Sequence, residues 1–169
     1  MRISKLLGSL FLAFALAAPG LSFATQASPA QAPAQAIVVE DVSRADFPTT
    51  LKNLKAQLDA DGWNIVAEID LGDRLSKKGV QIPGGLVILE LTSGKNAVPL
   101  LKQDETRYVS ALMPCSVSVY GMSDGRVMIS RMNAGMMAGM MEPKVADVMN
   151  KAASKLDQTI KSTLDKLSK

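Results

Sequence analysis

The sequence has 169 residues, with 19 Lys and Arg against 16 Asp and Glu, one cysteine and no histidine. That length suits one domain with a real core. The lack of histidine excludes Ser-His-Asp and Cys-His catalysis within the chain, imidazole proton shuttling and most zinc enzyme sites, and the lone Cys115 excludes an intramolecular disulfide.

Arg2 and Lys5 precede an apolar run, Leu6 to Ala18, and small Ser22 and Ala24 sit at the −3 and −1 positions of a cut after Ala24. The pattern predicts a secretory signal peptide over residues 1–24, and with it export, to the periplasm in a bacterial cell. The run is too short to span a bilayer. "TQASPAQAPAQA", residues 25–36, is rich in Ala, Gln and Pro without an apolar period and predicts a disordered linker. A single domain over 37–169 follows. Without the two basic residues of the leader its charges nearly balance. No basic block or aromatic ladder speaks for nucleic acid.

"AIVVEDV" is β-branched and short, a strand. The period then changes: Phe47, Leu51, Leu54 and Leu58 recur at helical spacing, with Asp46 as N-cap, Pro48 in the first turn and Gly62 past the end. "WNIVAEIDLG" predicts a half-buried strand with Ile65, Ala67, Ile69 and Leu71 on one face, and Trp63 capping the core. "DRLSKKGVQIPGG" reads as a loop with at most a short helical turn. "LVILELT" reads as a central strand, and a short helix is expected around Val98 to Gln103. "KQDETR" after it is a solvated face.

"MPCSVSVYGMSDGRVMISRMN" is a hairpin. Ser123-Asp124-Gly125 suits a three-residue loop closed by glycine in the left-handed region. Met122 then faces Arg126, Val119 pairs with Ile129, Val117 with Arg131, and Cys115 lands opposite Asn133. This register gathers Val117, Val119, Val127 and Ile129 on one face. A two-residue loop would move Cys115 opposite Ala134, so in either register it stands beside the methionine segment. The tail from Pro143 is a long helix with Val145, Val148, Met149, Ala152, Leu156, Ile160, Thr163, Leu164 and Leu167 as its apolar stripe. The order of elements predicts an α+β fold, an antiparallel sheet of about five strands with helices on one face.

"SRMNAGMMAGMM" is the segment that invites a functional reading. Thioether and thiolate sulfurs suit Cu(I), and Cys115, Met113, Met136 and Met140 form the candidate soft-metal or ligand set, supported by Asn133 and Met132. In a helix, Met132, Met136 and Met140 would share a stripe. Gly135 and Gly139 would form a small face with Ala134 and Ala138, making Gly135, Gly139, Met137 and Met141 a candidate interface. The alternative is packing: methionines fill irregular gaps and line plastic surfaces. Met132 and Cys115 are expected on opposite sheet faces. No paired carboxylates, phosphate loop or nucleophile elbow is visible, so catalysis is not the favoured reading.

From Leu101 to Met141 the chain resembles the family catalogued as domain of unknown function 302, through Met113-Pro114-Cys115, Asp124-Gly125 and Met132-Asn133. "FPTTLKNLKAQLDADGWNIVAEIDL" is similar to that family's opening helix and second strand. The resemblance implies a β-α-β4-α arrangement like that of the TATA-binding protein, and often a homodimer, but no established activity. Where many members carry a "GNP" turn after the third strand, Leu91 to Asn96 here reads "LTSGKN". The expectation is therefore an exported, non-catalytic binding or envelope-associated module, homodimeric, whose Met-rich segment lines an interface or an apolar ligand pocket. The alternatives are Cu(I) binding by Cys115 with methionines, and a thiol-dependent redox protein.

Overall fold

In the computed structural model the described residues are 37–168; the expected signal peptide, the expected linker and Lys169 lie outside them. Helix α1, Phe47–Ala60, follows strand β1, Val38–Ser43, and opens as its cap dictates: the Thr49 N–H donates to Asp46 Oδ1 at 2.8 Å. This satisfies one of the donors that every helix start leaves open. Strand β2, Asn64–Asp70, leads into the short α2, Leu71–Ser76, and β3, Leu86–Thr92, is an inner strand of the sheet. Helix α3, Gly94–Leu101, begins earlier than its apolar residues suggest, and a 3-10 helix, Asp104–Leu112, continues from it. The Met113–Pro114 peptide is cis. Strands β4, Cys115–Gly121, and β5, Val127–Met132, form the hairpin, followed by α4, Ala134–Ala138, and α5, Pro143–Leu167.

The five strands form one antiparallel sheet in the order β1-β5-β4-β3-β2. The hairpin register is the expected one, with Val119 opposite Ile129 and Val117 opposite Arg131, and the Met122 N–H donates to the Arg126 carbonyl at 2.8 Å. One face of the sheet carries Val87, Leu89 and Leu91 of β3, Val117 and Val119 of β4, and Val127 and Ile129 of β5, all buried. Leu54 and Leu58 of α1 and Leu156 and Ile160 of α5 pack against them. Each such fully buried side chain contributes about 1.5–3 kcal/mol through removal from water.

A second, smaller cluster joins Leu100 of α3, Val109 of the 3-10 helix and Val145 of α5, with Met113, Val148 and Met149 packed on it.

Two sequence expectations need correction. The single apolar face of β2 is interrupted: the pairing slips between Ile65 and Ala67, so Ile65 stands opposite Leu91 on the core side while Ile69 pairs with Ile88 on the other side. The extra residue, Val66, is exposed. A bulge adds one residue and so reverses the faces of those that follow. Leu71, expected to end the strand, opens α2 instead. The second correction concerns the methionine segment, where helix covers only Ala134–Ala138. Met132 ends β5 and Met140 lies beyond α4, so the three methionines do not share a helical stripe. Two glycines flanked by alanines give so short a helix little reason to extend.

Candidate functional site: an apolar cavity beneath helix α5

Asn133 is the pivot where β5 turns into α4. Its N–H donates to the Ile37 carbonyl at 2.8 Å, and its side-chain Oδ1 accepts the Met136 N–H at 3.1 Å, capping α4. The turn folds α4 back against α5. Beneath the two helices, at the end of the sheet where Cys115 stands opposite Leu91, is a cavity of about 210 Å³.

The cavity lies where the two hydrophobic clusters meet without merging. Trp63 and Leu156 of the main core line one part, and Leu100, Val109, Met113, Val148 and Met149 of the smaller cluster line another. Small residues keep the space open: Ala134 and Gly135 from α4, and Ala152, Ala153 and Ser154 from α5. Long side chains there would occupy it, since protein interiors otherwise close to crystal-like density.

Polar groups form the smaller part of its lining, among them Arg131, Asn133, Asn150, Ser154 and Asp157. Arg131, with a side chain only 8% exposed, reaches Asp41 on β1 through Nη1 at 2.6 Å and Asp157 on α5 through Nε at 2.7 Å. The guanidinium fork suits this geometry, because a buried charge needs both partners and directed hydrogen bonds. Trp63 is 5% exposed, and its indole N–H has no acceptor among the described residues. Cys115 is partly buried and unpaired. Burial first, and the Glu90 carboxylate second, push its thiol above the ordinary range. A protonated thiol is a weak nucleophile. Glu90 itself accepts from the Ser116 hydroxyl at 2.9 Å.

The family description "Domain of unknown function DUF302" matches residues 39–163. The chain belongs to the DUF302 family. The crystal structure of an uncharacterised conserved DUF302 protein from Bacillus stearothermophilus is similar, with a TM-score of 0.67 at 21% identity, covering 76% of this chain and 98% of that one. At that identity the likeness is one of fold. Nothing among curated proteins matches the chain.

Within this DUF302 domain the expected site residues divide. Cys115, Met113, Met132, Asn133, Gly135 and Met137 all line the cavity, joined by Met149 from α5. Met132 and Cys115 thus share a cavity although β5 carries Met132 outward and exposed. Met136 and Met140 are not among the lining residues, and Met140 is 71% exposed. Met141 packs on the smaller cluster, and Gly139 is exposed.

Sequence reasoning passed over Arg131 and Met149. The signal for Arg131 was present, since the hairpin register places it opposite buried Val117, and an arginine at an inward strand position must find carboxylates. Met149 belongs to the apolar stripe of α5 as well as to the cavity wall. No helix among the described residues is long and apolar enough to cross a membrane.

Proposed function

We propose that this DUF302 chain is an exported, non-catalytic binding module whose cavity takes a small, largely apolar molecule. The observation that carries the reading is the cavity's wall: Trp63, Leu100, Met113, Met137 and Met149 enclose about 210 Å³ with few polar groups between them. Concave, mostly apolar sites with a few placed polar atoms are the usual form of small-molecule sites. Flexible thioethers adapt to ligands of differing shape. Export rests on the leader at the start of the sequence, and homodimerisation on the family resemblance.

Cys115 provides the test. Its thiol lines the cavity, so a bound molecule shields it. In purified protein, saturating α-methylstyrene is expected to slow alkylation of Cys115 by iodoacetamide at least about fivefold. An unchanged rate up to the solubility limit of the probe would remove the reading.

A second reading is soft-metal binding. Cys115 and the thioethers of Met113, Met132, Met137 and Met149 line one cavity, a sulfur set that suits Cu(I). This set differs from the one proposed from sequence in replacing Met136 and Met140 with Met132, Met137 and Met149. Native mass spectrometry of reduced protein with Cu(I) tests it. The reading requires a one-to-one adduct that survives a moderate chelator and is lost in Cys115→Ser.

A further inference from the structure

Strand β1 lies at an edge of the sheet, and among the described residues no strand pairs with its outer side. The Asn133 N–H donates to the Ile37 carbonyl. The residues of β1 in step with Ile37, which are Val39, Asp41 and Ser43, therefore turn their N–H and C=O groups toward β5. Val38, Glu40 and Val42 turn theirs the other way, off the edge. The β4–β5 hairpin agrees. Its Met122 N–H donates to the Arg126 carbonyl, which assigns the backbone groups of Met128, Ser130 and Met132 to β4, and these are the residues opposite Val42, Glu40 and Val38.

The two edges of the sheet differ. Strand β2 carries the bulge at Val66 and the acids Glu68 and Asp70, features that keep an edge from pairing. Strand β1 has no bulge, proline or lysine. Its acids are taken up within the chain: Glu40 accepts from the Tyr120 hydroxyl across β5, and Asp41 holds Arg131. Exposed apolar side chains gather here. Ile37 stands just before the strand, Val38 and Val42 on it, and Met132 opposite Val38. An apolar patch beside open backbone groups marks an interaction surface.

The residues decide what fits it. With both acids occupied, the edge offers no free charge for a basic or acidic segment to seek. It suits an extended apolar strand, and β1 is itself one. Two copies of β1 pair antiparallel about a two-fold axis, each offering the same patch. Residues turned outward must meet residues turned outward, so the axis passes through a residue. At Glu40 or Asp41 it would set like carboxylates directly opposite, which destabilises. At Val38 or Ser43, the strand ends, too few residues overlap. Val39 and Val42 remain as centres. Resting on the homodimer reading above, we propose that the edge of β1 is the interface, and that its partner is the β1 edge of a second copy.

The experiment places single cysteines along the edge. Each variant also carries Cys115→Ser, so the introduced thiol is the only one. At a two-fold centre the facing Cα atoms lie about 4.5 Å apart for Val39, which bonds within its own sheet, and about 5.5 Å for Val42, which bonds across the axis. A disulfide spans either distance. Under oxidised glutathione, one of Val39→Cys and Val42→Cys is expected to link most of the protein into covalent dimers. Val66→Cys, exposed on the opposite edge, should stay unlinked. In sedimentation equilibrium the chain without its leader should show twice the monomer mass. Glu40→Pro removes a donor directed off the edge and none directed at β5, so it should weaken the dimer at least about tenfold and leave the far-UV circular dichroism unchanged. A dimer in which neither Val39→Cys nor Val42→Cys links, in which Val66→Cys links as readily, or which a folded Glu40→Pro leaves unweakened would overturn the β1 interface and leave the homodimer reading intact. A native chain that sediments as a monomer would overturn both. The cysteine comparison stands whether or not Glu40→Pro folds.

Discussion

Arg131 of β5 and Asp157 of α5 meet with Nε 2.7 Å from Oδ1, and the contact ties a wall of the cavity on the sheet to the helix above it. Asp41, 2.6 Å from Nη1 on the other side, holds the same guanidinium to β1. Arg131 therefore fixes the position of α5 over the sheet. Because the two acids are partly exposed, with side chains 37% and 57% accessible, each of Asp41→Asn and Asp157→Asn is expected to cost about 1 kcal/mol or less. The double variant strands a buried guanidinium and should cost about 3–5 kcal/mol. Urea unfolding of the four-protein cycle measures the excess over additivity.

A second stability prediction concerns Gly121 at the end of β4. Its N–H donates to the Gly85 carbonyl at 2.9 Å, and a Cβ there would lie 2.2 Å from the Pro83 carbonyl oxygen. The loop before β3 crosses so closely that no side chain fits. Gly121→Ala is expected to destabilise by about 1–3 kcal/mol, whereas Gly125→Ala in the exposed hairpin loop meets no neighbouring atom within 4 Å and acts only through its positive φ. Thermal unfolding of the two variants distinguishes steric from conformational cost.

Filling the cavity separates its two consequences. Ala153 lines it from α5, so Ala153→Leu places apolar atoms in the space. The variant is expected to gain about 0.5–2 kcal/mol of stability and to lose binding of α-methylstyrene by at least about tenfold. Loss of both stability and binding would mean that the added side chain displaces α5 rather than filling the cavity.

The raised Cys115 thiol predicts a pH dependence. Burial and Glu90 favour the neutral thiol in the folded chain, so on raising the pH the unfolded chain releases this proton first. The contribution is complete below the ordinary thiol range and is lost as pH rises toward the folded value. Stability should therefore fall more steeply above the ordinary thiol range in the native protein than in Cys115→Ala. Tyr120, whose hydroxyl is also pushed up by its hydrogen bond to Glu40, contributes equally to both proteins and cancels in the difference.

Much of the frame was legible because it follows from local rules. The Asp46 cap, the helical stripe of α5 and the β4–β5 register depend on spacing and turn chemistry, all of which are written in the residues. The bulge at Val66 was not, because one extra residue leaves no compositional mark and the apolar alternation through Ile65, Ala67 and Ile69 reads equally well without it. The site was half legible. Register alone brought Cys115 beside Asn133. The cavity itself arises from α5 lying over α4 and from small residues on two separate helices, a tertiary coincidence that no single segment encodes. Hence Met137, an interface candidate by its spacing, lines the cavity, while Met140, a metal-ligand candidate by its spacing, faces solvent.

The most direct measurement is of contact between ligand and wall. With ε-methyl-labelled methionine, intermolecular nuclear Overhauser effects from bound α-methylstyrene should reach Met137 and Met149, which line the cavity, and should be absent at Met140, which is 71% exposed. Effects confined to Met140, or none at a concentration that saturates binding, would contradict the account.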